Sequence, residues 1–194
     1  MPKQIFDMDS LFDGLYTKLT NPDFGKNLGG ELPLFIQPIP AERDDETEQQ
    51  IYHLCNRLNN KGYSAISINL YKMCIDILKQ EGILDSILED EMNLSKDDIV
   101  STLDSVLDIK TMIIPMIEAE ILEKNPKYAF ISGVGNAYPF VRSHGILNNI
   151  DELTTDCNLI LFFPGEYNNL QLKLFGRISD ENYYRGHNLN DYNS

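Results

Sequence analysis

An α/β domain with a mostly parallel sheet of about five strands, an antiparallel edge strand and an inserted helical layer is the fold class this sequence predicts. Short apolar runs alternate with longer stretches of helical periodicity, as they do in strand–helix–strand units. One run, Asn158–Phe163 (NLILFF), is apolar almost throughout, the pattern of a central strand covered on both faces. Only the six residues Pro164–Asn169 separate it from the next run, Leu170–Phe175. That is too short for a crossover helix, so the second run should return antiparallel as an edge. Its alternation of Leu170, Leu172 and Leu174 with Gln171 and Lys173 fits one solvent-facing side.

The elements follow in order. Residues 3–20 carry Ile5, Phe6, Leu11, Phe12, Leu15, Tyr16 and Leu19 at spacings of three and four, predicting an amphipathic helix capped by Asp9 or Ser10. Asn21-Pro22 and the glycines between Gly25 and Gly30 break the chain. The first strand is Leu32–Ile36, ended by Pro38 and Pro40. A helix over Ala41–Asn60 has acids crowding its first turns, where they suit the helix dipole, and Ile51, Leu54, Cys55 and Leu58 as its buried stripe. Gly62 stops it, and the isoleucine-rich second strand, Tyr63–Leu70, completes a parallel βαβ unit.

Residues 71–125 read as a helical crossover, longer than one helix requires, with a bend at Gly82. A capping-box pair stands at Ser95 and Asp98, and Pro115 should kink or end its helix near Ile114. The third strand is Ala129–Val134. Pro139 suits the first turn of the next helix, which buries Phe140, Val141 and Leu147. From Ser179 to Ser194 the tail is polar and turn-rich. The reading is one domain over residues 1–194, with an N-terminal helix and loop over 1–30.

Sixteen Lys and Arg face thirty Asp and Glu, a net charge of −14, which argues against autonomous DNA or RNA binding because that affinity rests on cations meeting phosphates. Residues 76–124 hold thirteen acids and four lysines, so the helical layer should present an acidic face, for solubility or for a basic protein partner. Cys55, Cys74 and Cys157 form no pair motif and read as buried, reduced thiols of a cytoplasmic protein. The start, MPKQIFDMDS, lacks the apolar run of a secretory leader, and no window has the apolar length of a membrane helix.

Ligands of open α/β sheets bind beyond the carboxyl ends of the parallel strands. Here those ends carry Gln37-Pro38, Asn69–Tyr71, Gly133–Asn136 and Pro164–Tyr167. A phosphate loop after the first strand would need glycines and a lysine, and QPIPAERDDETEQQ has neither, with five carboxylates instead. Gly133-Val134-Gly135 reads as a tight turn needing positive φ, not as a phosphate cradle. Ser143 and His144 are sequence neighbours that do not face each other on a helix, and His53, His144 and His187 have no metal-ligand spacing. Arg142, one turn into a helix, could pair with Glu166 or hold a partner's carboxylate. Tyr167 is a candidate anchor, and Tyr183-Tyr184-Arg185 either docks on the body or offers anchors to another protein. The candidate binding surface is therefore Gly133, Gly135, Asn136, Arg142, His144, Glu166, Tyr167, Tyr184 and Arg185, with no catalytic residue, metal site or cofactor assigned.

Several of these residues fall in FISGVG (130–135), YPFVRSH (138–144), LFFPGEY (161–167), LFG (174–176) and NYYR (182–185). In that combination the chain resembles the BrxB family of bacteriophage-exclusion (BREX) defence systems, more loosely back to Leu11. The ending departs, because Gly186-His187 stands where the family has an Ala-Phe-like pair. The resemblance implies a bacterial cytoplasmic protein whose neighbours are a PglZ alkaline-phosphatase-like protein, a BrxC ATPase and a PglX adenine methyltransferase. It carries over no catalytic residues. By analogy the sheet is Rossmann-like, or like a degenerate P-loop core that has lost its phosphate loop. The function expected is non-enzymatic assembly of a BREX complex, with PglZ as first-choice partner. Two alternatives stand beside it: a nucleotide- or nucleic-acid-responsive regulator using the edge around Gly133 and Arg142, and a hydrolase centred on His144 and Glu166.

Overall fold

The computed structural model describes residues 7–26, 28, 31–90, 92–150, 157–168, 171–179, 184 and 186–192. Its framework is a parallel sheet of β1 (Leu34–Ile39), β2 (Ala65–Asn69), β3 (Tyr128–Ser132) and β4 (Asn158–Asn168), in the order β2-β3-β4-β1. A two-residue strand from the tail, His187–Asn188, adds parallel to the far side of β1. Numbered in chain order it is β7, after β5 (Gln171–Leu174) and β6 (Ile178–Ser179). β5 pairs antiparallel with the outer half of β4, and β6 pairs with β5, so the predicted antiparallel return is observed as a small second sheet.

The pleat divides the core. Phe35, Phe130, Ile160 and Phe162 point to one face, against α1 (Met8–Leu19) and α2 (Asp44–Asn60). Leu34, Ile36, Ile131, Leu159, Leu161 and Phe163 point to the other. There they meet α3 (Leu70–Gln80), α5 (Lys96–Val106), α6 (Ile114–Lys124), α7 (Val134–Ala137) and α8 (Ser143–Ile150). α4 (Ile83–Asp90) packs only partly buried residues on that layer. Each fully buried Leu, Ile or Phe adds about 1.5–3 kcal/mol relative to exposure, so the two-sided burial of β4 is the largest single commitment of the fold.

Local chemistry sets the helix ends. The Asp7 carboxylate accepts from the Asp9 and Ser10 amides, so the first helix is capped at Asp7 and not at Asp9 or Ser10. Ser95 and Asp98 form the expected capping box, and hydrogen bonds from Ser95 hold the Asp98 carboxyl below its usual range. Gly82 takes φ +68° at the bend between α3 and α4. The helical layer does not break at Pro115: the chain turns at Leu107–Asp108, winds one π-helical turn over Ile109–Ile113, and places Pro115 in the first turn of α6, where no N–H is needed.

Two further expectations are corrected. Pro38 lies within β1, not beyond it. The Ile36 carbonyl accepts from Leu189 on the β7 side, so the residue two further on also faces that side, beyond the end of β7. No ladder bond is lost there. Pro139 is not in a helix: it follows a cis Tyr138–Pro139 bond in the link between α7 and α8.

All three cysteines are buried and in no disulfide among the described residues, and burial pushes the Cys55 and Cys157 thiols up to about 12 and Cys74 to about 11. Among the described residues no helix is long and apolar enough to cross a membrane. The end of α1 is tied to the sheet by the buried Tyr128 hydroxyl, which donates to the Leu19 carbonyl at 2.6 Å. Tyr128→Phe should lower stability by about 1–2 kcal/mol, because a buried carbonyl loses its donor. Urea unfolding measures this, and an unchanged midpoint would remove the bond from the account.

Candidate functional site: the carboxyl edge of the sheet

The strand ends do converge, but they pack against each other. Gly133 follows β3 with φ +74°, the positive φ expected of it. A Cβ there would lie 2.5 Å from Asn69 Oδ1 and 3.1 Å from the Tyr71 amide, so the β2 and β3 ends are in close contact. Asn69 itself caps α3, its side chain accepting from the Lys72 amide at 2.9 Å. Gly135 does not have a positive φ; what requires it is close approach. A Cβ there would lie 3.0 Å from the Phe175 ring and 3.1 Å from Pro164 Cγ.

Phe175 reaches that position from the turn after β5, at φ +54°, with its amide donating to the Pro164 carbonyl at 2.8 Å. A bulky side chain in the left-handed region is strained, so the packing of its ring matters. The ring also stands edge-on to Tyr138, with centroids 6.4 Å apart. Gly135, Tyr138, Pro164 and Phe175 thus form one packed unit over the carboxyl ends of β3 and β4.

The other predicted residues separate into surface and interior. Asn136 and Arg142 are exposed. Arg142 precedes α8 and does not sit one turn inside it. Its guanidinium lies 6.0 Å from the centre of the Tyr138 ring, and no ion pair joins it to Glu166 among the described residues. Glu166 is exposed on the β4–β5 hairpin, opposite Lys173. His144 is half-buried in the first turn of α8.

Tyr167 and Tyr184 are both 3% exposed and are not surface anchors. The Tyr167 hydroxyl lies 2.9 Å from the Tyr184 carbonyl and 2.8 Å from that of Gly186, and the Asn188 side chain donates to the Tyr167 carbonyl at 3.1 Å. Tyr167 is therefore the peg that holds the tail. The sequence did carry a sign of this: Tyr167 continues the alternate positions Leu159, Leu161 and Phe163, all buried on one face. Arg185, with Asn182 and Tyr183, lies outside the described residues.

Two concavities lie near this edge. One, of about 210 Å3, is apolar and sits between α3, α5 and α7, with Leu78, Leu103 and Phe140 among its walls and Asn136 beside them. The other, of about 330 Å3, runs along the outer side of β2. After β1, the position of a phosphate loop is taken by Pro40 and a single 3-10 turn, Ala41–Arg43, in which Arg43 Nε donates to Glu46 at 2.6 Å. No group of three or more His, Cys, Asp or Glu side chains is placed to hold a metal ion among the described residues.

Fold and edge together define a class: a parallel α/β domain with a helical insertion, in which the strand ends pack on one another through Asn69, Gly133, Gly135 and Phe175. The model of the family described as "BREX protein BrxB" matches residues 66–189. A BREX protein BrxB of Bacillus cereus (strain H3081.97) is 30% identical over 185 residues, covering 92% of this chain and 95% of that protein. A BREX protein BrxB of Escherichia coli O9:H4 (strain HS) is 23% identical over 177 residues, covering 90% and 88%. No solved structure matches. The chain belongs to the BrxB family, a component of BREX systems.

Gly133→Ala tests the packed edge. Gly62 also has positive φ, at +90°, but nothing lies within 4 Å of a Cβ there. Gly62→Ala should cost only the conformational term, about 1–2 kcal/mol. Gly133→Ala should cost more by the clash with Asn69, and equal losses in denaturant titrations would contradict the close contact.

Proposed function

We propose that this chain is a non-enzymatic assembly component of a BREX anti-phage complex that binds other products of its operon, PglZ first among them. Membership of the BrxB family supplies the system. The observation that carries the adaptor reading is the filled edge. Where an open α/β sheet would receive a small ligand, Phe175 covers Gly135 and Pro164, and Asn69 closes on Gly133. Such an arrangement gives the fold rigidity and leaves its function to the outer surface.

That surface is acidic. Of the −9 balance of residues 76–124, −7 falls on α4, α5 and α6, whose inner faces cover the sheet while their carboxylates add to the outer surface. The excess of carboxylates over cations there raises the encounter rate with a basic partner and gives the contact a dependence on salt.

Affinity purification from cells expressing the native operon, followed by mass spectrometry at low and high salt, tests this. Stoichiometric recovery of PglZ or another operon product is expected, weakened at high salt. A protein that purifies alone at both salt concentrations would overturn the reading.

A further inference from the structure

We propose that the outer edge of β2 is a docking groove for an extended, basic segment of a partner protein, which adds to the sheet as a strand. The inference rests on the adaptor reading and assigns it a surface. β2 pairs with β3 on one side, and among the described residues no strand lies on the other. The first outward pair of main-chain groups on that edge is already taken: the Asn59 side chain donates to the Ala65 carbonyl at 3.0 Å and accepts from the Ala65 amide at 2.9 Å.

Main-chain groups of a strand alternate in direction, so the next outward pair belongs to Ser67. Ser67 is exposed, and no hydrogen bond to its outward amide or carbonyl is formed among the described residues. Asn59 thus blocks one end of the edge and sets where an incoming strand begins. Main-chain pairing of this kind gives affinity without a demand on sequence, and flanking side chains then select.

The flanks select for positive charge. The groove of about 330 Å3 along Ser67 is walled by Glu48 from α2, Lys72 and Asp76 from α3, and Glu120 from α6. Glu120 already accepts from Lys124 at 2.6 Å. Glu48 Oε1 is buried and accepts no hydrogen bond among the described residues. A buried carboxylate oxygen without a donor is costly, and an arginine or lysine entering beside it would supply one. Ser67 then fixes the main chain of the occupant, and Glu48 with Asp76 fixes its charge.

The test uses the full operon in cells. A photo-reactive amino acid in place of Ser67 is cross-linked by light, and the captured peptide is identified by mass spectrometry. The expected product is a segment of another operon protein with Lys or Arg close to the cross-link. Capture of a second copy of this chain, or of an acidic segment, overturns the proposal. In parallel, Glu48→Gln should lower partner recovery about tenfold or more, since truncating one side of a buried charge pair weakens a complex strongly. Its melting temperature should not fall below the parent value, and Asp23→Asn, in the loop after α1 and away from both proposed surfaces, should leave recovery unchanged. If Glu48→Gln and Ser67→Pro both fold and recover the partner at parent levels, the groove is not the docking site, although the adaptor reading stands. If the parent protein recovers no partner, both fail.

Discussion

The pairing of β1 with β4 is the constraint from which the remaining architecture follows. Six residues of each strand run in parallel register, from Leu34 opposite Leu159 to Ile39 opposite Pro164. Both strands are buried on both faces, so each face must be covered. α1 and α2 cover one, and α3, α5–α8 cover the other. A parallel pair so far apart in sequence cannot form by a hairpin, and the chain between must supply these covering layers. β4 also runs on past the end of β1, and this overhang carries the antiparallel β5 and β6.

The overhang explains why LFFPGEY and LFG cluster in space with GVG, which is far from them in the sequence. LFFPGEY runs from the part of β4 paired with β1 into the overhang, which begins at Gly165. LFG leads from the last residue of β5 into the turn that places Phe175 against Gly135, and Pro139 follows the tyrosine that packs edge-on to Phe175. Tyr184 of NYYR is held by Tyr167, whose hydroxyl reaches the Tyr184 and Gly186 carbonyls. Local packing thus accounts for residues that would otherwise invite a catalytic explanation. In the proposed adaptor role the edge is a clamp, and recognition falls to the acidic helices and the open side of β2.

Much of this was legible in the sequence. Helical and strand periodicities located α1, α2, β2, β3 and β4, because in each a buried stripe repeats at the period of its own element. The antiparallel return was legible from loop length alone. The strand order was not, since periodicity says which faces are buried and nothing about which strands are neighbours. β7 was missed because two residues carry no periodic signal; only the buried Leu189 marks it. The site was half legible. Strand-end logic found Gly133, Gly135 and Glu166, but not that the Phe175 ring packs on Gly135, because a side chain's destination depends on the turn that carries it. Tyr167 looked like an anchor for a partner and holds the tail instead, and of the two readings open for Tyr184 the structure has it docked on the body.

The central claim is that the carboxyl edge is filled from within and does not serve as a nucleotide site. Thermal-shift titration of the purified protein with ATP, GTP and single-stranded oligonucleotides addresses it directly. A ligand held only by the folded state, at a hundredfold its Kd, adds about 2.7 kcal/mol and would raise the melting temperature by several degrees. The account predicts no saturable rise with any of them. A saturable rise with one, abolished by a substitution at Asn136 or Arg142, would contradict it.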